Sequence, residues 1–175
     1  MQNIYNKLTR DLKKRFKMIK LLVMDFDGVF TDNKVYTDQS GRESVRCDRS
    51  DGLGIELLRQ KRIKMLIVTR EKNHVVLERA IKLKLPCLNN VKNKLHTMQK
   101  ECKKQNIHLK NVCYIGNDIN DIECLNAAGL AIAVKNSWPK AIKHADYVTT
   151  RLGGDGAVRE ICELIIRAKK NTPLL

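Results

Sequence analysis

Residues 19–32 read IKLLVMDFDGVFTD: four consecutive apolar residues, Leu21 to Met24, with Ile19 leading in, run directly into Asp25 and Asp27, one residue apart, and then Gly28. An apolar run without polar alternation suits the centre of a parallel sheet covered by helices on both faces. Ligands of such sheets bind in the crevice beyond the carboxyl ends of the strands, so the two aspartates stand where chemistry is expected. An acidic strand-to-loop turn would use the same residue types. The stretches around this one decide between the two.

Outward from it, strand and helix patterns alternate. Asn33 to Arg49 reads as a hairpin, with strand-like runs Lys34 to Thr37 and Ser44 to Cys47 around Asp38-Gln39-Ser40-Gly41. Ser50-Asp51-Gly52 supplies a helix start. Strands are predicted over residues 64–69, 85–88, 112–115, 130–134 and 147–149, and helices over 73–84, 94–105, 121–128, a short stretch after Pro139, and 157–169. This order predicts an α/β protein with a doubly wound, Rossmann-like parallel sheet and one small β-hairpin insertion at about 33–49. Residues 1–17 read as a single basic amphipathic helix, with Ile4, Leu8, Leu12 and Phe16 at intervals of four, set before a domain over 18–175.

Composition narrows the function classes. The chain of 175 residues carries a formal charge of +15, and seven basic side chains against one acid in the first twenty residues account for six of those units. The rest lies along helix faces, where lysines alternate with an apolar stripe. With aromatics at 5%, no base-stacking platform is present and nucleic-acid binding is not favoured. No run approaches the roughly 20 apolar residues of a membrane span, and no signal-peptide core is found at the N-terminus. Six cysteines without Cys-x-x-Cys spacing read as free thiols of a reducing compartment. A cytoplasmic protein with no membrane partner is the expectation.

Three predicted strands end in polar groups that a parallel sheet brings to one edge: Asp25 and Asp27, Thr69, and Asp118. Two close carboxylates need a cation or a shared proton between them. A cluster without His or Cys selects a hard, oxygen-bound cation such as Mg2+. Lys94 begins a helix that follows another strand, so its ammonium can reach the same edge. Metal, aspartate, hydroxyl and lysine together suit phosphoryl transfer, in which phosphate charge is neutralised before an anionic nucleophile approaches. The four histidines fall on helix faces or loops without evident partners, and Gly153-Gly154-x-Gly156 lacks the Lys-Ser/Thr of a P-loop.

Asp25-Phe26-Asp27-Gly28-Val29, Thr69, Lys94 and Gly116-Asn117-Asp118-x-x-Asp121 resemble, in order and context, the four motifs of the haloacid-dehalogenase-like (HAD) phosphatases, over essentially all residues after about 18. Gly28 to Asp32, Ser50 to Ile55, Lys92 to Leu95 and Gly153 to Glu160 look like its capless subgroup. That subgroup includes 3-deoxy-D-manno-octulosonate (KDO) 8-phosphate phosphatases and phosphatases of nine-carbon sialic-acid-type sugars, some fused to cytidylyltransferases. The resemblance implies a Mg2+-dependent phosphatase of a 2-keto-3-deoxy sugar acid phosphate. It also implies a homotetramer in which hairpins associate and a neighbour's C-terminal segment closes the site. Carried over by position, Asp25 is nucleophile and metal ligand, Asp27 is acid/base with its carbonyl on the metal, and Asp118 completes the metal site. Thr69 and Arg70 bind the phosphoryl end, Lys94 neutralises nucleophile and phosphate, and Asp121 and Asn117 stand behind them, with Asp121 orienting Lys94 or metal-bound water. Arg49 and Ser50 are further candidates for the substrate. Thr69-Arg70-Glu71 replaces the family's usual Thr-Gly-Arg; Ser50-Asp51-Gly52, with Arg49 one place early, replaces Arg-Asp-Gly, and together with Thr69-Arg70-Glu71-Lys72-Asn73 and Asn117-Asp118-x-Asn120-Asp121 this points toward the nine-carbon branch. A catalytically silent HAD-like domain that regulates or oligomerises a cytidylyltransferase is the alternative, and intact Asp25, Asp27, Lys94 and Asp118 speak against it.

Overall fold

The computed structural model describes residues 2–170. The elements in chain order are α1 (Gln2–Lys7), α2 (Arg10–Met18), β1 (Leu21–Met24), β2 (Thr31–Thr37), β3 (Glu43–Cys47), α3 (Arg49–Gln60), β4 (Lys64–Val68), α4 (His74–Leu83), β5 (Cys87–Leu88), α5 (Lys94–Lys104), β6 (Val112–Gly116), α6 (Ile122–Ala127), β7 (Leu130–Ala133), α7 (Pro139–Ile142), β8 (Tyr147–Val148) and α8 (Ala157–Lys170). Six strands form one sheet in the order β5-β4-β1-β6-β7-β8, every pair parallel. The chain winds from β1 to one side, then crosses to β6 on the other. The crevice between β1 and β6 is therefore the topological switch point at which such sheets bind ligands.

All four residues of β1 are buried, and their alternation feeds two cores. Leu22 and Met24 face a layer built with Phe16, Ile55, Leu58, Val76 and α8, while Leu21 and Val23 face Met98, Cys102, Cys124 and Leu125 from α5 and α6. Covering both faces explains why β1 has no polar alternation. Only the β2–β3 hairpin stands outside this sandwich, as a two-stranded antiparallel sheet with Val35 and Tyr36 more than half exposed. No cap domain separates β1 from α3.

The structure corrects the sequence reading at three points. The single helix expected over 1–17 is two, because Thr9 leaves helical geometry and caps α2 by accepting from Leu12 N at 3.2 Å. The segment packs on the domain, with Tyr5, Leu8 and Phe16 buried in the main core. The Arg15 guanidinium donates to the Gly129 carbonyl at 2.8 Å and, at 2.7 and 2.5 Å, to both oxygens of Asp146. Helix α3 starts earlier than Ser50, because Asp48 caps it through Ser50 N at 2.6 Å. Finally, two of the histidines have neighbours: His144 Nδ1 lies 2.8 Å from Asn126 Oδ1, and His74 Nδ1 lies 3.3 Å from Glu78.

Candidate active site

β1 hands its end to the site through the backbone. Asp25 N donates to the Ile115 carbonyl at 2.9 Å, so the first carboxylate is fixed against β6. Phe26 then turns into the core and stacks on Phe30 with centroids 5.7 Å apart, which leaves Asp25 and Asp27 on the site side. Gly28 makes the turn at φ +76°, and a Cβ there would lie 2.0 Å from Asn117 Nδ2. The positive φ, with the Asn117 side chain this near, favours glycine at that turn.

Asp25, Asp27, Thr69, Arg70, Lys94, Asn117 and Asp118 line one cavity of about 270 Å³, together with Asn33, Glu71 and Asn120. Lys94 Nζ lies 2.8 Å from Asp25 Oδ2 and donates at 2.8 Å to Asp121 Oδ1. The other Asp25 oxygen accepts from Phe26 N at 2.8 Å. Asp121 is fully buried yet completely partnered: Tyr114 OH donates to Oδ1 at 2.6 Å, and Asn117 N and Asp118 N donate to Oδ2 at 2.9 and 3.3 Å. Asp118 is half-buried, and its Oδ1 caps the following turn through Ile119 N. Thr69 is buried at the end of β4, where its hydroxyl accepts from Glu71 N at 3.1 Å.

The electrostatics follow from this crowding. Burial, then the Asp121 carboxylate, raises the Asp25 pKa against the opposing pull of Lys94. Burial, then Glu71, pushes Asp27 up to about 6. Burial tends to discharge Lys94, but Asp25 and Asp121 outweigh it and hold the ammonium charged. Burial first, then Asp121, keeps the Tyr114 hydroxyl protonated well beyond its ordinary range, so it acts here as a donor.

Four carboxylates and two cations line the cavity, so negative charge is in surplus at its wall. Among the described residues, no three acidic, His or Cys side chains converge as a ready-made metal cage. The donor set still suits Mg2+, which is commonly bound through one or two carboxylates with water and substrate phosphate making up the rest. Asp25 and Asp118 with the Asp27 carbonyl would be that set.

Two expected substrate contacts lie elsewhere in the chain. Arg49 lines a separate basic groove of about 370 Å³ with Arg59, Arg79, Lys82 and Lys84, and Ser50 faces Gly156. Starting α3 at Arg49 rather than at Ser50 turns that arginine toward α4. Glu71, Asn33, Asn120 and Tyr114 were not among the site residues expected from the sequence. A tyrosine inside the otherwise apolar strand Val112–Gly116 was the signal for the last. Of the C-terminal segment expected to help close a neighbour's site, residues 171–175 lie outside the described residues.

A doubly wound sheet with a lysine-bridged aspartate at its switch point suits phosphoryl chemistry at the strand edge. The sequence pattern of the haloacid dehalogenase-like hydrolases matches residues 2–161, and the chain belongs to that family. It is a capless phosphatase. It is 34% identical over 166 residues to the 3-deoxy-D-manno-octulosonate 8-phosphate phosphatase of Escherichia coli, covering 94% of this chain and 88% of that protein. Against N-acylneuraminate cytidylyltransferase A of Danio rerio it is 30% identical over 90% of this chain, but over 37% of that longer protein. The crystal structure of the Moraxella catarrhalis 3-deoxy-D-manno-octulosonate 8-phosphate phosphatase, in complex with magnesium, phosphate and KDO, superposes with a TM-score of 0.90 at 34% identity. That match covers 94% of this chain and 95% of the other.

Proposed function

We propose that the protein is a Mg2+-dependent phosphatase that hydrolyses KDO 8-phosphate through an aspartyl-phosphate, working as a homotetramer. The observation that carries the reading is the Lys94 ammonium, 2.8 Å from a buried Asp25 at the mouth of β1. Such a pair keeps a nucleophilic carboxylate aimed while a phosphate dianion approaches. Relatives of this substrate class match nearly the whole chain.

In this reading Asp25 attacks phosphorus, the bond from phosphorus to the sugar oxygen breaks, and protonated Asp27 gives its proton to the departing oxygen. Water then attacks the phosphoryl group on Asp25, Asp27 takes the water's proton, and phosphate leaves with Asp25 regenerated. Lys94, the Thr69 hydroxyl and Arg70 hold the phosphoryl oxygens. Bound Mg2+ supplies the remaining charge neutralisation. The hairpin supports assembly: an isolated two-stranded sheet with Val35 and Tyr36 exposed is marginal alone and gains from pairing with other hairpins.

A phosphate-release screen of KDO 8-phosphate against N-acylneuraminate 9-phosphate, each with Mg2+ and with chelator, tests this. Preference for the eight-carbon ester, abolished by chelator and restored by Mg2+, is expected. Preference for the nine-carbon ester would move the substrate to the other branch, and release indifferent to chelator would overturn the metal-dependent mechanism.

A further inference from the structure

We propose that Tyr114 is a positioning residue of this site: its hydroxyl, bonded to the same Asp121 oxygen that holds Lys94, sets how that ammonium is shared between Asp121 and Asp25. The kinetic consequence rests on the phosphatase reading, whereas the contacts rest on geometry alone.

Tyr114 and Gly116 lie two apart on β6 and therefore on one face of the sheet. Gly116 makes room for Asp121, since a Cβ on it would lie 2.5 Å from Asp121 Cβ. Tyr114 is fully buried among apolar neighbours such as Val23, Met98 and Cys124. Phe would fill that space equally well, and a buried phenol needs a partner for its hydroxyl. The partner is Asp121 Oδ1 at 2.6 Å. The second Asp121 oxygen is held by the Asn117 and Asp118 amides, which pins the carboxylate plane to the loop that carries Asp118. Oδ1 thus faces two donors, Tyr114 and Lys94. Without the phenol, Lys94 is the sole donor left to Oδ1 and is drawn toward it. Each step of that shift takes it away from Asp25, and from the phosphate it is to neutralise.

Tyr114→Phe tests this, with Tyr114→Leu as the variant that also loses ring packing. The phenylalanine variant is expected to lose about tenfold in kcat, as other supporting contacts around a site do, with KM nearly unchanged and melting near that of the wild type. Tyr114→Leu should melt lower but match that kcat per folded molecule. A wild-type kcat in Tyr114→Phe, or a loss that tracks the unfolded fraction, overturns the proposal. An activity-independent arm follows the Lys94 ammonium by NMR in protein labelled with nitrogen-15 at lysine. A protected signal that shifts in Tyr114→Phe supports the role, and an unchanged signal overturns it. If the wild type releases no phosphate from any phosphomonoester, the phosphatase reading fails while the ammonium signal still decides this one.

Discussion

Asp121 and Asp51 are both carboxylates with no exposed surface, and the chain treats them in opposite ways. Asp121, at the strand-end edge of the candidate site, receives Lys94, Tyr114 and two backbone amides. Asp51, between α3 and α8, accepts from Arg159 N at 2.8 Å in the first turn of α8, and its other oxygen has no partner. Burial, opposed chiefly by that amide bond, pushes the Asp51 pKa up to about 7. A buried charge must be either fully partnered or given up. The site takes the first course because it needs a negative charge to hold a lysine. The helix junction can take the second because it needs only an acceptor at a helix N-terminus.

The contrast breaks most severely at Asp25, the other carboxylate that Lys94 serves. Asp25→Asn is expected to cost about 10⁴-fold or more in phosphate release, as loss of a nucleophile does, while far-ultraviolet circular dichroism stays that of the folded protein. Retained turnover would sink the covalent mechanism. Next comes Lys94→Met, which leaves two buried carboxylates facing each other. Breaking a buried pair in this way costs about 3–5 kcal/mol, measurable by urea unfolding. That cost should shrink when Asp121 is also made Asn, because the unpaired charge then goes. Gly116→Ala pushes a methyl into the Asp121 side chain, and overpacking of this kind costs about 1–3 kcal/mol, with loss of activity beyond the loss of fold. The smallest effect sharpens the comparison rather than breaking it. A raised carboxylate pKa means that the folded state holds its proton more tightly than the unfolded chain, so the contribution of Asp51 to stability falls as pH rises from about 4 to about 7. Asp51→Asn should flatten that part of the stability profile and leave turnover within about twofold, as expected for a change away from the reacting groups. A profile unchanged in slope would show that Asp51 is ionised in the fold.

Much of the site was legible because its residues sit at strand ends whose positions follow from short apolar runs. Asp25, Asp27, Thr69 and Asp118 need only the knowledge that parallel strands finish on one edge, and Lys94 needs only the start of a helix. What was not legible depends on the direction in which a side chain leaves its element. Arg49 is the first residue of α3, after the Asp48 cap, and lines a groove beside α4 rather than the candidate site. Tyr114 looked like one more core residue, since nothing in Val112–Gly116 states that a carboxylate seven positions later folds back over it. The break at Thr9 was written in its capping side chain, but the four-residue spacing of Ile4, Leu8, Leu12 and Phe16 runs through it uninterrupted.

The Arg15 anchor has a consequence for the order of events during synthesis. Its acceptors lie 114 and 131 residues downstream, at Gly129 and Asp146. Residues 10–18 are synthesised before β7, β8 and α8, so the contacts of Arg15 with Gly129 and Asp146, and of Phe16 with Tyr147, form only once those later elements have followed.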